Sequence, residues 1–364
     1  MLTRRMISNF DWALFLSILI VSGLSVVFIY SASFTSHMIG DFWQRQLFWI
    51  VVGLIVMMTV IYVDYHIFAE YSYLLYFVSL AGLVYVLLFG RVINNTQGWL
   101  VFGSVHIQPA EFAKVISLFA LARFFSNNDR EILDWRALTI GAGLMVLPIA
   151  LVVLQHDIGT ALTFVPVFAG LSFCGGVQKK VMIASLVIVL IAAPVLWINL
   201  KDYHRERIRS MLDPDYDVKG IGYQTAQSKI AIGSGRVLGK GLKQGSQSQL
   251  GFLPGRHTDF IFSVMAENIG FVGANGILIL YLIICFRLIH IARDAKERLG
   301  SLIAIGVLSI WLFHVIINVG MALGLVPVIG IPLPFFSYGG SSIISNFMAL
   351  GLVLNVGMRR YVNQ

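Results

Sequence analysis

Asp259 lies in the run Phe252-Leu253-Pro254-Gly255-Arg256-His257-Thr258-Asp259-Phe260-Ile261-Phe262, between a long polar segment and the start of an apolar one. A bilayer penalises charge, so an ionisable group at the edge of an apolar span marks a functional site. A carboxylate held there can remove a proton from a hydroxyl nucleophile. His257 beside it reads either as a second base or as a hydrogen-bond partner. Glu267 follows eight residues on, about two helical turns, and shares a face with Asp259 if a helix already runs there.

Two further constellations carry ionisable groups. Glu111 and Lys114, three apart after Pro109, share a helical face and neutralise each other in low dielectric. They read as a buried ion pair that fixes packing, or as a pair in which Lys114 holds a phosphate and Glu111 positions it. Asp157, in Gln155-His156-Asp157-Ile158-Gly159-Thr160, reads first as a helix N-cap. No His/Cys cluster has zinc spacing, and no Walker or dinucleotide fingerprint is present, which argues against nucleotide binding.

The elements that must hold these groups are membrane helices. Of 364 residues, 58% are hydrophobic and 12% charged, with mean hydropathy +0.83, against about 25% charged in soluble domains. Hydropathy places about ten transmembrane helices, centred near Ile20, Leu54, Leu80, Leu118, Leu147, Pro166, Val189, Ile277, Ile310 and Leu350. The expected fold is therefore an all-α integral membrane protein, a single polytopic domain over residues 1–364. The first apolar run is too long for a cleavable signal peptide. Cys174 and Cys285 read as small buried hydrophobes.

Lys and Arg in short loops set orientation. Arg4, Arg5, Arg123, Arg130, Arg136, Lys179, Lys180, Arg287, Arg293, Lys296, Arg298, Arg359 and Arg360 fall on one side, and only Arg45 and Arg91 on the other. Both termini are thus expected in the cytoplasm. A large extracytoplasmic loop, about residues 200–265, then separates the seventh and eighth spans. It is net basic and includes Lys229, Lys240 and Arg256, which suits either anionic lipid headgroups or an anionic, membrane-anchored substrate such as a lipid pyrophosphate. Ile221 to Ile232 suits a short interfacial helix. Gly233, Gly235, Gly239, Gly241 and Gly245 read as a surface loop, or as backbone that brings amides close to an anion.

Near the end, Asn318, Gly320, Gly324, Pro327, Gly330, Pro332, Pro334, Ser337, Tyr338, Gly339, Gly340 and Ser341 crowd one stretch. Such backbone cannot face lipid as a regular helix, so it is buried in protein or lines a cavity.

That stretch resembles the signature of the SEDS family (shape, elongation, division and sporulation). Gln108-Pro109-x-Glu111-x-x-Lys114 and Asp157-x-Gly159-Thr160 match two more of its motifs. Gln227 to Gly235 and Arg256-His257-Thr258-Asp259-Phe260 are closer to its elongation branch than to its division branch. Four positions depart from the pattern: Gly98 where Arg is common, Ala110 for Ser, His156 for Pro and Gly255 for Glu. The resemblance implies a peptidoglycan glycosyltransferase that polymerises lipid II into β-1,4 glycan strands at the outer face of the bacterial inner membrane during elongation. Asp259 is then the catalytic base. Lys114, Glu111, Arg256, His257, Lys229, Lys240, Asp157, Glu267, Ser337 and Ser341 are the candidate substrate-binding residues. The implied cofactor is a divalent cation, Mg2+ or Mn2+. The implied partners are a class B penicillin-binding protein transpeptidase and other elongation-complex membrane proteins, and no nucleic acid. A lipid II flippase is the competing reading, and it predicts charged sites near the membrane midplane.

Overall fold

A computed structural model describes residues 8–33, 42–93, 96–103, 105–128, 135–178, 180–181, 183–184, 202–212 and 221–360. In chain order these form α1 (Trp12–Ser33), α2 (Phe42–Tyr62), α3 (Tyr65–Glu70), α4 (Ser72–Phe89), β1 (Arg91–Ile93), β2 (Thr96–Phe102), β3 (Val105–Ile107) and α5 (Pro109–Ser126). Then follow α6 (Trp135–Leu154), α7 (Ile158–Leu162), α8 (Phe164–Cys174), α9 (Asp202–Leu212), α10 (Ile221–Ser234), α11 (Ser246–Gln249), α12 (Ile261–Asp294), α13 (Arg298–Leu323) and α14 (Gly340–Arg359).

Among the described residues, seven helices (α1, α2, α4, α6, α12, α13 and α14) are long and apolar enough to cross a membrane. The chain is a multi-pass, all-α membrane protein. Two more expected spans are present in other forms. α5 carries Glu111, Lys114 and Arg123 and is buried along most of its length. The span near Pro166 is broken into α7 and α8 at Thr163. The span expected near Val189 lies outside the described residues.

α14 is the central helix, with 83% of its apolar window buried. It lies along α2, and glycines permit the approach: a Cβ on Gly53 would stand 2.4 Å from the Phe347 ring, and one on Gly351 would stand 2.9 Å from the Met57 carbonyl. Small residues at such contacts are how helices pack tightly in lipid. At one end of the bundle, ion pairs tie the helix ends together: Arg287 to Asp11 at 2.7 Å, Arg359 to Asp64 at 2.6 Å and Arg360 to Asp294 at 2.7 Å. This end carries the basic short-loop residues on which the expected orientation rests.

The other end carries the irregular structure. A small antiparallel sheet, ordered β1-β2-β3, connects α4 to α5; its strands have 3, 7 and 3 residues and gave no strand signal in the sequence. A helix is present where one was expected at Ile221 to Ile232, as α10. α12 is kinked at Gly270, where φ is 65°. There the glycine-rich segment straps onto it: Phe271 and Val272 donate to the carbonyls of Arg236 and Val237, and Lys240 and Gly241 donate to those of Glu267 and Asn268. Gly239, with φ +81°, sits where a Cβ would meet the Asn268 carbonyl at 2.2 Å. The glycines thus bring Lys240 and Gly241 amides to a helix backbone rather than to an anion.

Candidate functional site

The non-helical end encloses a cavity of about 960 Å³. Its walls come from the start of α2 (Arg45, Trp49), the sheet (Trp99, His106), the starts of α5 and α7 (Gln108, Glu111, Asp157), α9 (Arg207), the residues before α12 (Thr258, Asp259) and the segment 329–342. The glycine- and proline-rich stretch therefore lines a cavity, as expected. It cannot continue α13 because Gly324 turns the chain with φ 70° and Pro327, Pro332 and Pro334 follow.

Asp259 opens onto this cavity just ahead of α12, which begins at Ile261. Burial pushes its carboxyl up to about 6, against the opposing influence of Arg207 and a hydrogen bond from Thr258. It remains ionised at neutral pH and is basic enough to accept a proton. Its backbone is held twice: Asn318 donates to the Asp259 carbonyl at 3.0 Å, and Ser337 donates to the Thr258 carbonyl at 2.7 Å.

His257 does not share its role. Its ring stacks on Phe42 with centroids 5.0 Å apart, and its Nε2 faces the Arg256 Nε at 3.4 Å. Burial, with Arg256 adding to it, drives the His257 pKa down to about 4. It is a neutral packing and hydrogen-bonding group. Arg256 itself donates to the Ser248 carbonyl at 2.6 Å.

Glu111 reaches the cavity, while Lys114 stands behind it with 1% of its surface exposed. The Lys114 Nζ is 3.0 Å from Glu111 Oε2 and 3.3 Å from His314 Nε2, and Ser345 donates to the same Oε2 at 3.2 Å. Asp157 caps α7, accepting from the Thr160 amide at 2.9 Å and the Thr160 hydroxyl at 2.8 Å, and it takes a further hydrogen bond from Gln108 Nε2 at 2.6 Å. Ser341 accepts from the Gln108 amide at 2.9 Å and also lines the cavity.

The remaining candidates lie elsewhere. Glu267 is fully buried and faces the strap, not Asp259, because no helix joins the two. It accepts from the amides of Gln247 and Ser248, both at 3.0 Å, and pairs with Lys240 at 3.0 Å. Lys229 packs beside Gly324. Ser337 is buried, with its hydroxyl engaged by the Thr258 carbonyl and the Leu333 amide.

A family profile described as "Cell cycle protein", covering FtsW, RodA and SpoVE, matches residues 11–362. The chain belongs to the FtsW/RodA/SpoVE family. Peptidoglycan glycosyltransferase MrdB of Escherichia coli K12 is 36% identical over 353 residues, spanning 97% of this chain and 94% of that protein. Peptidoglycan glycosyltransferase RodA of Treponema pallidum is 31% identical over 430 residues, spanning 98% and 99%. A chain from a structure concerned with coordination of polymerization and crosslinking by a peptidoglycan synthase complex aligns with TM-score 0.83 at 32% identity, covering 97% of this chain and 98% of that one. Thermus thermophilus RodA aligns with TM-score 0.71 at 28% identity, covering 97% and 98%.

Two departures of this FtsW/RodA/SpoVE protein have a structural reading. Gly255 has φ +64°, which suits glycine, and its carbonyl accepts from the amides of Thr258 and Phe260. His156, with φ 63°, lines the cavity. Two arginines of the cavity wall, Arg45 and Arg207, were not evident as site residues in the sequence. Each sits among ordinary polar neighbours, and only folding brings them to the same wall as Asp259. Their basic character was the one available signal.

Proposed function

We propose that this chain polymerises lipid II at the outer face of the bacterial inner membrane, joining disaccharides by β-1,4 bonds with Asp259 as general base. The 4-hydroxyl of one disaccharide attacks the anomeric carbon of another. Asp259 takes the hydroxyl proton as the new C–O bond forms, and the bond from the anomeric carbon to the pyrophosphate oxygen breaks. Attack opposite the leaving group inverts the α-linked donor to a β-linkage. The pyrophosphate leaves as a stable anion and requires cations more than a proton. Arg45 and Arg207 supply that charge in the cavity wall, and Glu111 and Asp157 offer acceptors for sugar or peptide hydrogen bonds.

The observation that carries this reading is the shared lining: a carboxylate raised to about 6 by burial and two arginines face one cavity large enough for a substrate headgroup. Among the described residues no three His, Cys, Asp or Glu side chains converge as a metal site. Both Asp157 oxygens and Glu111 Oε2 already accept hydrogen bonds, and Asp259 has no second carboxylate clustered with it, so the described residues do not fit a protein-held metal. A Mg2+ or Mn2+ ion would instead arrive on the donor pyrophosphate, the usual habit of Mg2+, and no step above runs through it.

The basic end of the bundle, with its paired Arg287, Arg359 and Arg360, supports cytoplasmic termini and an outward-facing cavity. The likeness to a chain of a synthase complex supports pairing with a class B penicillin-binding protein that crosslinks the new strand, alongside other elongation proteins. Purified protein in detergent, given lipid II and Mg2+ with such a partner, is expected to yield glycan ladders on a gel. Lipid II transfer between leaflets of a vesicle, with no glycan in detergent, would favour the flippase instead.

A further inference from the structure

The segment between α13 and α14 has no helix or strand to hold it, yet it forms the wall facing Asp259. A Cβ on Gly330 would stand 3.8 Å from Asp259 Oδ2. Polar side chains reach this segment from three helices. Gln46 of α2 donates to the Ser337 carbonyl at 3.2 Å and Tyr281 of α12 to the Pro334 carbonyl at 2.6 Å, but the contacts nearest Asp259 come from α13. Asn318 Nδ2 donates both to the Asp259 carbonyl at 3.0 Å and to the Ile331 carbonyl at 2.8 Å. His314 Nδ1 is 2.9 Å from the Pro332 carbonyl. A carbonyl only accepts, so Nδ1 carries the proton, and the Nε2 lone pair faces the Lys114 ammonium at 3.3 Å. Lys114 in turn holds Glu111 at 3.0 Å.

We infer that His314 and Asn318, one helical turn apart on α13, are positioning residues for the reaction at Asp259: they fix the Ile331–Pro332 backbone and join the Asp259 loop to the Glu111–Lys114 pair. Side chains four apart on a helix lie on one face, so a single surface of α13 grips adjacent carbonyls. Both residues are at most 1% exposed and neither lines the cavity, so neither touches substrate. Asn318 Oδ1 is buried with no partner among the described residues. An unpaired buried acceptor is a cost that a purely stabilising side chain avoids; a residue kept for where its amide nitrogen points accepts it. The chain of contacts runs unbroken from Asp259 to Glu111, two of the three carboxylates that line the cavity.

The inference rests on Asp259 being the base, and the test separates the two. Steady-state kcat and KM for lipid II are measured for Asn318→Ala, His314→Asn and His314→Gln, with wild type and Asp259→Asn alongside. Gel filtration and thermal midpoints confirm folding, and Asn318→Ser replaces Asn318→Ala if the latter does not fold. Misplacing the wall by about 1 Å predicts a kcat loss of about 10- to 100-fold in the Asn318 variant with KM little changed. The two His314 variants split the ring: Asn keeps a donor near the Nδ1 position for the Pro332 carbonyl, whereas Gln reaches the Nε2 position facing Lys114. His314→Asn should therefore retain kcat better than His314→Gln. A folded Asn318 variant with wild-type kcat overturns the inference, as does His314→Gln matching or exceeding His314→Asn, or a loss confined to KM. Active Asp259→Asn defeats the base assignment itself. Inactive Asp259→Asn beside unaffected Asn318 and His314 variants defeats this inference alone.

Discussion

Ser337 donates its hydroxyl to the carbonyl of Thr258 at 2.7 Å and accepts from the Leu333 amide at 2.8 Å, so one buried side chain ties the re-entrant segment to the residue preceding the base. The Leu333 amide is buried and the Thr258 carbonyl partly so. Ser337→Ala should cost about 1–3 kcal/mol of stability, the usual penalty for unpaired buried polar groups. It should also lower kcat by loosening the Asp259 loop. Thermal unfolding in detergent and steady-state turnover measure the two effects separately, and an unchanged thermal midpoint would show that the bond contributes nothing.

The raised carboxyl of Asp259 sets a pH dependence. A general base works deprotonated, so kcat/KM should rise with pH through about 6 and level off above it. The stability effect has the opposite sign. A carboxyl whose folded pKa exceeds its unfolded value of 3.8 binds its proton more tightly when folded, so this contribution declines from about pH 4 to about pH 6 and stays absent above. Asp259→Asn should accordingly melt higher than wild type at pH 8. An acid limb near 4 would mean that Asp259 is solvated during turnover.

The Glu111–Lys114 pair tests structure against chemistry. Lys114→Ala strands Glu111 in the interior, at about 3–5 kcal/mol, and should fold poorly. Glu111→Gln combined with Lys114→Met removes both charges and should restore folding. Glu111 lines the cavity and Lys114 only supports it, so the double variant should fold yet polymerise slowly. Normal glycan yield from that folded variant would make the pair purely structural.

Orientation is open to cysteine labelling in a background with Cys174 and Cys285 replaced by alanine. Gly245 is unsuitable as a reporter, because a Cβ there would meet Glu267 Oε2 at 2.5 Å. Leu238, 80% exposed, serves instead. Leu238→Cys should react with an impermeant thiol reagent on intact cells, and Arg293→Cys should not. The reverse pattern would invert the topology.

What the sequence made legible follows from how local each signal is. The spans, the α10 helix and the Asp157 cap depend on residues within a few turns of one another, and hydropathy or cap chemistry reads them directly. Asp259 was legible because a lone carboxylate against an apolar run is costly in a bilayer and is kept there for what it does. Pairing across the chain was not. Lys240 and Arg256 read as substrate cations, but folding delivers the first to Glu267 and the second to the Ser248 carbonyl. Arg45 read only as a short-loop charge and Arg207 as one of many basic residues in the long loop, and both line the cavity. The sheet escaped notice because two of its strands have only three residues and the seven-residue one, Thr96–Phe102, ends in an apolar run without alternation. His314 and Asn318 act on carbonyls, which look alike at every position in a sequence.

The role of Asp259 as base is tested most directly by turnover of Asp259→Asn, an isosteric change that removes the base and keeps the cavity. Wild type and variant, purified with the transpeptidase partner and matched for folding by gel filtration, receive lipid II at pH 8. Wild type should yield glycan ladders, and the variant should lose about 10²- to 10⁴-fold in rate. Ladders of near-normal intensity from Asp259→Asn would contradict that role.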